Sequence, residues 1–288
     1  MLQNMANVLV LHPGAMGASV AAALIDAGHE VAWVVDGRST ATVQRAKVAG
    51  CRSFENLAAA LVEVAGVVSV VPPEHALAVA NLVAESDFGG WCLDANAISP
   101  STAAEMAELF AGTRTSFVDG GIVGPPANVA GTTRLALSGP YAAEVADVFA
   151  GCRLEPVVVG EQVGAASAFK VGFAAWTKGS SALLLAVRTY AVASGVDEAL
   201  ASEWDRRGMD VVTRTTATIA GTTPKAWRFA GEMAEIAKAW TAAGVPEGFF
   251  TAAEEVYSRL ATFKDADYSM IEPPDVRDIA AHILGDAP

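Results

Sequence analysis

Residues 7–36 read NVLVLHPGAMGASVAAALIDAGHEVAWVVD, and this stretch decides the fold. An apolar run leads into a glycine-bearing turn, an Ala-rich segment of helical length and a second apolar run. That order is a strand–turn–helix–strand unit, and strands joined by a crossover helix lie parallel. In a dinucleotide-binding turn three glycines have separate tasks. The first permits the tight turn, the second lets a pyrophosphate approach the backbone, and the third lets the helix pack on the strand. Gly14 and Gly17 fill the second and third places, while His12 stands at the first. Pro13 biases residue 12 toward extended backbone, so no glycine-only conformation is needed there. The phosphates are then expected on the backbone N–H groups of Ala15, Met16 and Gly17, at the positive end of the helix.

The same alternation continues outward. Apolar runs at 7–11, 30–35, 66–71, 91–95, 116–120, 135–139 and 155–160 read as strands, most of them separated by helical stretches. This predicts a doubly wound, mostly parallel sheet covered on both faces. From about residue 161 the strand signals stop. One long helix is expected from Gln162 to Ala193, ending at Gly195, followed by helices near 197–220, 224–243, 247–263 and 275–284. Thr223-Pro224 reads as a capping hydroxyl followed by a first-turn proline. Two apolar stripes stand out: Phe229, Met233, Ile236 and Trp240, and then Phe249, Ala253, Val256, Leu260 and Phe263. The expected organisation is an α/β nucleotide domain over 1–161 and an all-α substrate and dimerisation domain over 162–288, joined by the long helix.

Composition narrows the function. With 52 % hydrophobic and 18 % charged residues the chain suits a compact soluble protein. A formal net charge of −13 argues against nucleic acid as a partner, which calls for a basic surface. No basic region precedes an apolar core at the N-terminus, and no uncharged run is long enough to span a bilayer. Cys51, Cys92 and Cys152 show no ligand or disulfide spacing and read as small hydrophobes in a reducing, cytoplasmic setting. His12, His29, His75 and His282 lack ligand spacing, so no metal is expected.

Past the second strand comes DGRST. An acid there holds the ribose 2′-OH of NAD, and an arginine holds the 2′-phosphate of NADP. Asp36 and Arg38 compete for the place. Arg38, Ser39 and Thr40 together offer a fork of donors and two hydroxyls, so NADP is favoured over NAD. Val71 and Pro72, and Asn96 in DANAISP (94–100), lie at further strand ends that face the nucleotide.

These features resemble the β-hydroxyacid dehydrogenase family of the 6-phosphogluconate dehydrogenase superfamily, over nearly the whole chain. HPGAMG resembles that family's GLGxMG, DANAISP its D-x-S-T-x-x-P stretch, and FVDGGIVGPP its substrate loop D-A-P-V-S-G-G. GAASAFKVGFAA (164–175) is similar to the helix G-x-G-x-x-x-K-x-x-x-N, which puts the family's catalytic lysine on Lys170. The resemblance implies a Rossmann domain, a helical domain that builds a homodimer, and hydride transfer with NAD(P). Substrate contacts fall on Gly121, Val123, Gly124 and Ala174, with Thr177 and Trp227 added from the residues nearby. The family's substrate-loop serine is Val123 here, its helix asparagine is Ala174, and its late Lys-Asp pair is Lys225-Ala226. The usual small 3-hydroxy acid, bound in the usual way, is therefore not expected. Similarity is closer to a poorly characterised branch marked by a helix like KVGFAAWTKGSSALLLA and its own helical C-terminal domain.

Lys170 sits in an otherwise apolar segment, AFKVGFAAW, and apolar surroundings disfavour an ammonium and suit a lysine to acid/base work. At 100° per residue, Lys170, Thr177, Ser181 and Arg188 share one face, read as lining a cleft. Lysines reaching solvent and hydroxyls bonded back to the helix account for the same stripe. Trp176, Trp204, Trp227 and Trp240 read as core, with lining of the cleft the alternative for Trp227 and Arg228 near a helix start; Glu203, Arg228, Glu232 and Glu235 read as a solvated or dimer face, and Asp119 as a turn residue. Three functions remain open: an NADP-dependent dehydrogenase or reductase, an imine reductase acting on C=N, and an NADPH-binding sensor without turnover.

Overall fold

The computed structural model describes residues 5–285. The chain divides into two compact units, Met1–Val171 and Gly172–Pro288. The first unit contains β1 (Asn7–Val10), α1 (Ala15–Asp26), β2 (Glu30–Val34), α2 (Thr40–Ala49), β3 (Arg52–Phe54), α3 (Leu57–Leu61), β4 (Gly66–Ser69), α4 (Pro73–Ala84) and β5 (Trp91–Asp94). It continues with α5 (Pro100–Leu109), β6 (Ser116–Val123), β7 (Thr133–Ser138), α6 (Ala142–Val148), β8 (Leu154–Gly160) and the start of α7 (Ala165–Ala174). All seven strands expected from the apolar runs form. The eighth, β3, was not foreseen: its residues are exposed or half-exposed, so it carries no apolar run to read.

The strands make one sheet in the order β3-β2-β1-β4-β5-β6-β7-β8. Every pairing is parallel except β6 with β7. The link between those two strands is a short loop without a crossover helix, and such a link returns the chain antiparallel. Period-2 alternation sends Val8 and Val10 into a core with Val20 and Leu24 of α1. Leu9 and Leu11 go to the opposite core, with Ala76 and Val79 of α4 and Met106 of α5. Both faces of the sheet are thus covered, as a largely parallel sheet requires.

The unit opens on the glycine turn. His12 has no left-handed backbone, since Asp265 is the one non-glycine residue with positive φ among the described residues. A Cβ on Gly17 would lie 2.2 Å from the His12 carbonyl oxygen, whereas open space surrounds the Cβ position of Gly14. The helix-packing task therefore falls on Gly17 and the open approach on Gly14.

In the second unit the helical run continues through a π turn (Ala175–Gly179) into α8 (Ser180–Ala193). Then come α9 (Asp197–Arg206), α10 (Val211–Thr222), α11 (Ala226–Ala242), α12 (Gly248–Arg259) and α13 (Val276–Leu284). The single helix expected over 197–220 is two, parted at Gly208, which takes a positive φ of 68°. Thr223 does not cap a helix. It starts a 3₁₀ turn, and its hydroxyl bonds back to the Ile219 carbonyl and to Tyr268 Oη. Phe229, Met233 and Ile236 are buried as expected. Of the second stripe Ala253 and Leu260 are buried as expected, but Phe250 and Tyr257 are buried in place of Phe249 and Val256, and Phe249 is 71 % exposed. No described helix is long and apolar enough to cross a membrane.

Gly17→Ala is expected to lower unfolding free energy by about 2 to 3 kcal/mol, because a backbone carbonyl has nowhere to retreat. Gly14→Ala should cost far less. Urea midpoints of the two variants measure the difference.

Candidate functional site

The sheet order sets the carboxyl ends of β2, β1, β4 and β5 side by side. His12–Gly17, Arg38–Thr40, Val71–Pro72 and Asn96 follow those ends, so the first unit brings the expected nucleotide residues to one edge. Gly14 is the N-cap of α1, and its N–H donates to the His12 carbonyl. Ala15 is exposed and Met16 half-buried. Ser39 is the N-cap of α2, its Oγ accepting from the Thr42 N–H, and Thr40 begins that helix in solvent. Val71 and Pro72 are half-buried, and Pro72 precedes α4 as its N-cap.

The charges here are unusual. Burial holds the His12 imidazole down at about 4, and the positive fields of Arg38 and His75 add to the effect. Arg38 is half-buried. Burial lowers its pKa too, against the pull of Asp36. His12 Nδ1 and Arg38 Nε are both buried without a hydrogen-bond partner. Open space at Gly14, a helix N-terminus and two idle basic nitrogens fit a phosphate-bearing nucleotide.

Asn96 is buried, and its amide is engaged within the protein. Oδ1 accepts from the Val71 N–H, and Nδ2 donates to Asp94 and to Ser69 Oγ. Its part is to fix the backbone at Val71. Asp94, not singled out from sequence, also accepts from the Asn96 N–H. Burial pushes its carboxyl up to about 7, the two Asn96 bonds oppose this, and the Asp119 charge adds to it.

Lys170 projects from α7 and donates from Nζ to the Ile122 carbonyl at 2.7 Å. The approach is close because β6 has glycine at the crossing: a Cβ on Gly121 would lie 2.7 Å from Lys170 Cβ. Val123 is half-buried at the end of β6, and Gly124 takes a φ of 123° against Thr132. Asp119 is not a turn residue. Fully buried in β6, it accepts from the N–H groups of Gly164, Ala166 and Ser167 and from the hydroxyls of Ser167 and Ser138. It thereby holds the start of α7, one turn before Lys170. A lone acid inside an apolar strand was the available sequence signal, but its partners lie some 45 residues away, at Gly164.

The remaining expected residues belong to the second unit. Ala174 is buried just before the π turn. Thr177 Oγ bonds back to the Phe173 carbonyl and Ser181 Oγ to that of Thr177. Arg188 is buried in a bidentate pair with Asp197. Trp227 is half-buried under the Lys264 ammonium, 4.1 Å from the ring centre. Two readings need correction. Trp176, in the π turn, is 77 % exposed and is no core residue. Glu232 is not a solvated residue, since it forms a largely buried ion pair with Lys178, whose Nζ lies over the Phe229 ring.

Residues 9–149 match the NAD binding domain of 6-phosphogluconate dehydrogenase, and residues 191–260 match a domain of unknown function, DUF1932. No protein of curated function matches the sequence. Among solved structures, a conserved protein described as structurally similar to 3-hydroxyacid dehydrogenases is 27 % identical. The match covers 89 % of this chain and 97 % of that one, with a TM-score of 0.66. Mycobacterium tuberculosis 3-hydroxyisobutyrate dehydrogenase is 18 % identical over 98 % and 99 %, with a TM-score of 0.70. A reductive aminase from Aspergillus terreus, in complex with NADPH, is 19 % identical over 90 % and 94 %, with a TM-score of 0.57.

The raised Asp94 carboxyl has a stability signature. The folded chain keeps a proton that the unfolded chain releases near pH 3.8, so this group's contribution falls as pH rises from there to about 7. Urea titrations of the protein and of Asp94→Asn should show the native protein losing ground to the variant across that window and holding level above it.

Proposed function

We propose that this chain, in which an NAD-binding domain of the 6-phosphogluconate dehydrogenase family precedes a DUF1932 domain, is an NADP-dependent oxidoreductase. It moves hydride between nicotinamide and a carbonyl or hydroxyl substrate, with Lys170 as general acid/base. The observation that carries this reading is the fixing of Lys170. Asp119 pins its helix, Gly121 lets it lie against β6, and Nζ donates to Ile122 O. The nucleotide, once bound, supplies or accepts the hydride. Lys170 gives a proton to the carbonyl oxygen as the adjoining carbon is reduced, and takes it back in the reverse direction. Arg38, with the hydroxyls of Ser39 and Thr40 beside it, supports NADP over NAD. The free cysteines suit a reducing compartment, the cytoplasm.

A second reading, reduction of C=N, draws on Val123 and Ala174. Both are apolar where the β-hydroxyacid pattern has polar groups, and a reductive aminase is among the fold neighbours. Screening NADPH oxidation against keto acids, aldehydes and cyclic imines separates the two. Lys170→Ala should cut turnover at least a hundredfold and leave NADPH affinity nearly intact. A variant that turns over near the native rate removes Lys170 from the chemistry.

We also assign a homodimer. Phe173, Trp176, Leu183, Val187 and Tyr190 of the second unit are exposed, beside an apolar groove of about 720 Å³ that Trp240 and Phe249 help to line. A patch of this kind is unusual on a monomer. Light scattering should give twice the chain mass, and Leu183→Glu should shift it toward one.

A further inference from the structure

We propose that His12, assisted by His75, reads the 2′-phosphate of NADP and takes up a proton as that phosphate docks, so that preference for NADP over NAD strengthens as pH falls. The inference rests on the NADP reading above and deepens it. The starting point is the departure at residue 12. The β-hydroxyacid dehydrogenase pattern has a glycine there, and this chain has an imidazole.

Topology brings three basic side chains together. His12 follows β1, Arg38 follows β2 and His75 lies in the first turn of α4, which follows β4; these strands are neighbours in the order β2-β1-β4. The groups are close enough for the Arg38 and His75 charges to act on His12. Asp36 acts on Arg38 in turn. His12 Nδ1 and Arg38 Nε are buried and make no hydrogen bond, which is costly unless a ligand completes them. The ribose of a dinucleotide lies at the end of β2, beside the turn that carries His12. A phosphate monoester there is an anion with acceptor oxygens for both nitrogens.

The proton follows from the charges. Without an anion, burial above all, with the Arg38 charge and a lesser contribution from His75, holds the His12 imidazole down at about 4. A phosphate dianion reverses the sign of the local field, and solvent supplies a proton to the ring. A group whose pKa rises on binding makes binding tighter as pH falls through the raised value. NADH, without the phosphate, leaves His12 neutral. If the bound imidazole returns to its ordinary value of about 6.5, NADPH affinity gains about fourfold from this group between about pH 8 and about pH 6.

The test uses the whole protein with NADPH and NADH as probes. Binding constants are measured at both pH values for the native chain, for His12→Gly, which restores the glycine of the resembled pattern, and for His75→Gln, which leaves the turn untouched. Calorimetry in buffers of differing ionisation enthalpy counts the protons taken up. The expected result is proton uptake with NADPH and not with NADH. His12→Gly should lose that uptake and about fourfold of the pH response relative to the native chain, a comparison that cancels titration of the phosphate itself. His75→Gln should lower NADPH affinity and leave NADH affinity unchanged. NADPH preference with the same pH response in His12→Gly overturns the inference and leaves the NADP reading standing. NADPH bound no better than NADH at either pH overturns both.

Discussion

The buried carboxylate of Asp119 is the constraint from which the rest of the site follows. It gathers donors from three backbone N–H groups and two hydroxyls, and all of those backbone groups lie at the start of α7. The first N–H groups of a helix have no partners within it, and an anion there also meets the positive end of the helix dipole. A charge withdrawn from water this completely is tolerated only when its bonds are made. Sheet and helix are therefore locked at one point, and Lys170, one turn along, inherits its position. Gly121 makes the lock possible, because a side chain there would push the lysine away from β6.

A second polar knot fixes the nucleotide end. Asp94, Asn96 and Ser69 join the ends of β4 and β5, and the Asn96 amide holds the Val71 backbone. The two knots share the sheet: Asp94 and Asp119 are register partners on neighbouring strands, close enough for one charge to act on the other. Burial is the largest cause of the raised Asp94 pKa, and the Asp119 charge adds to it. The ends of β4 and β5 and the start of α7 are thus held by one strip of buried acid and amide.

The strands, the cover of both sheet faces and the glycine turn between β1 and α1 were legible in the sequence, because each rests on local pattern: apolar runs, glycine spacing, proline. Gly17 showed itself by position, and its role follows from one carbonyl contact. Asp119 was misread because nothing nearby in sequence bonds it, and an acid beside Gly120-Gly121 looks like a turn. The second stripe was read correctly at Ala253 and Leu260 and one residue early at Phe249 and Val256, as neighbours such as Phe249 and Phe250 serve the same pattern equally well until packing chooses between them. Trp176 and Glu232 were misplaced for a related reason: burial of a large ring or of a charge depends on which helices come to meet it.

The π turn at Ala175–Gly179 has a consequence for how such helices are read and altered. A wider loop of backbone inserts a phase slip, so side chains after it point elsewhere than a uniform helical wheel drawn from the residues before it would say. Arg188, lined up with Lys170 on that wheel, instead finds Asp197 within its own unit. A substitution chosen from one wheel drawn across this turn therefore lands on the wrong face.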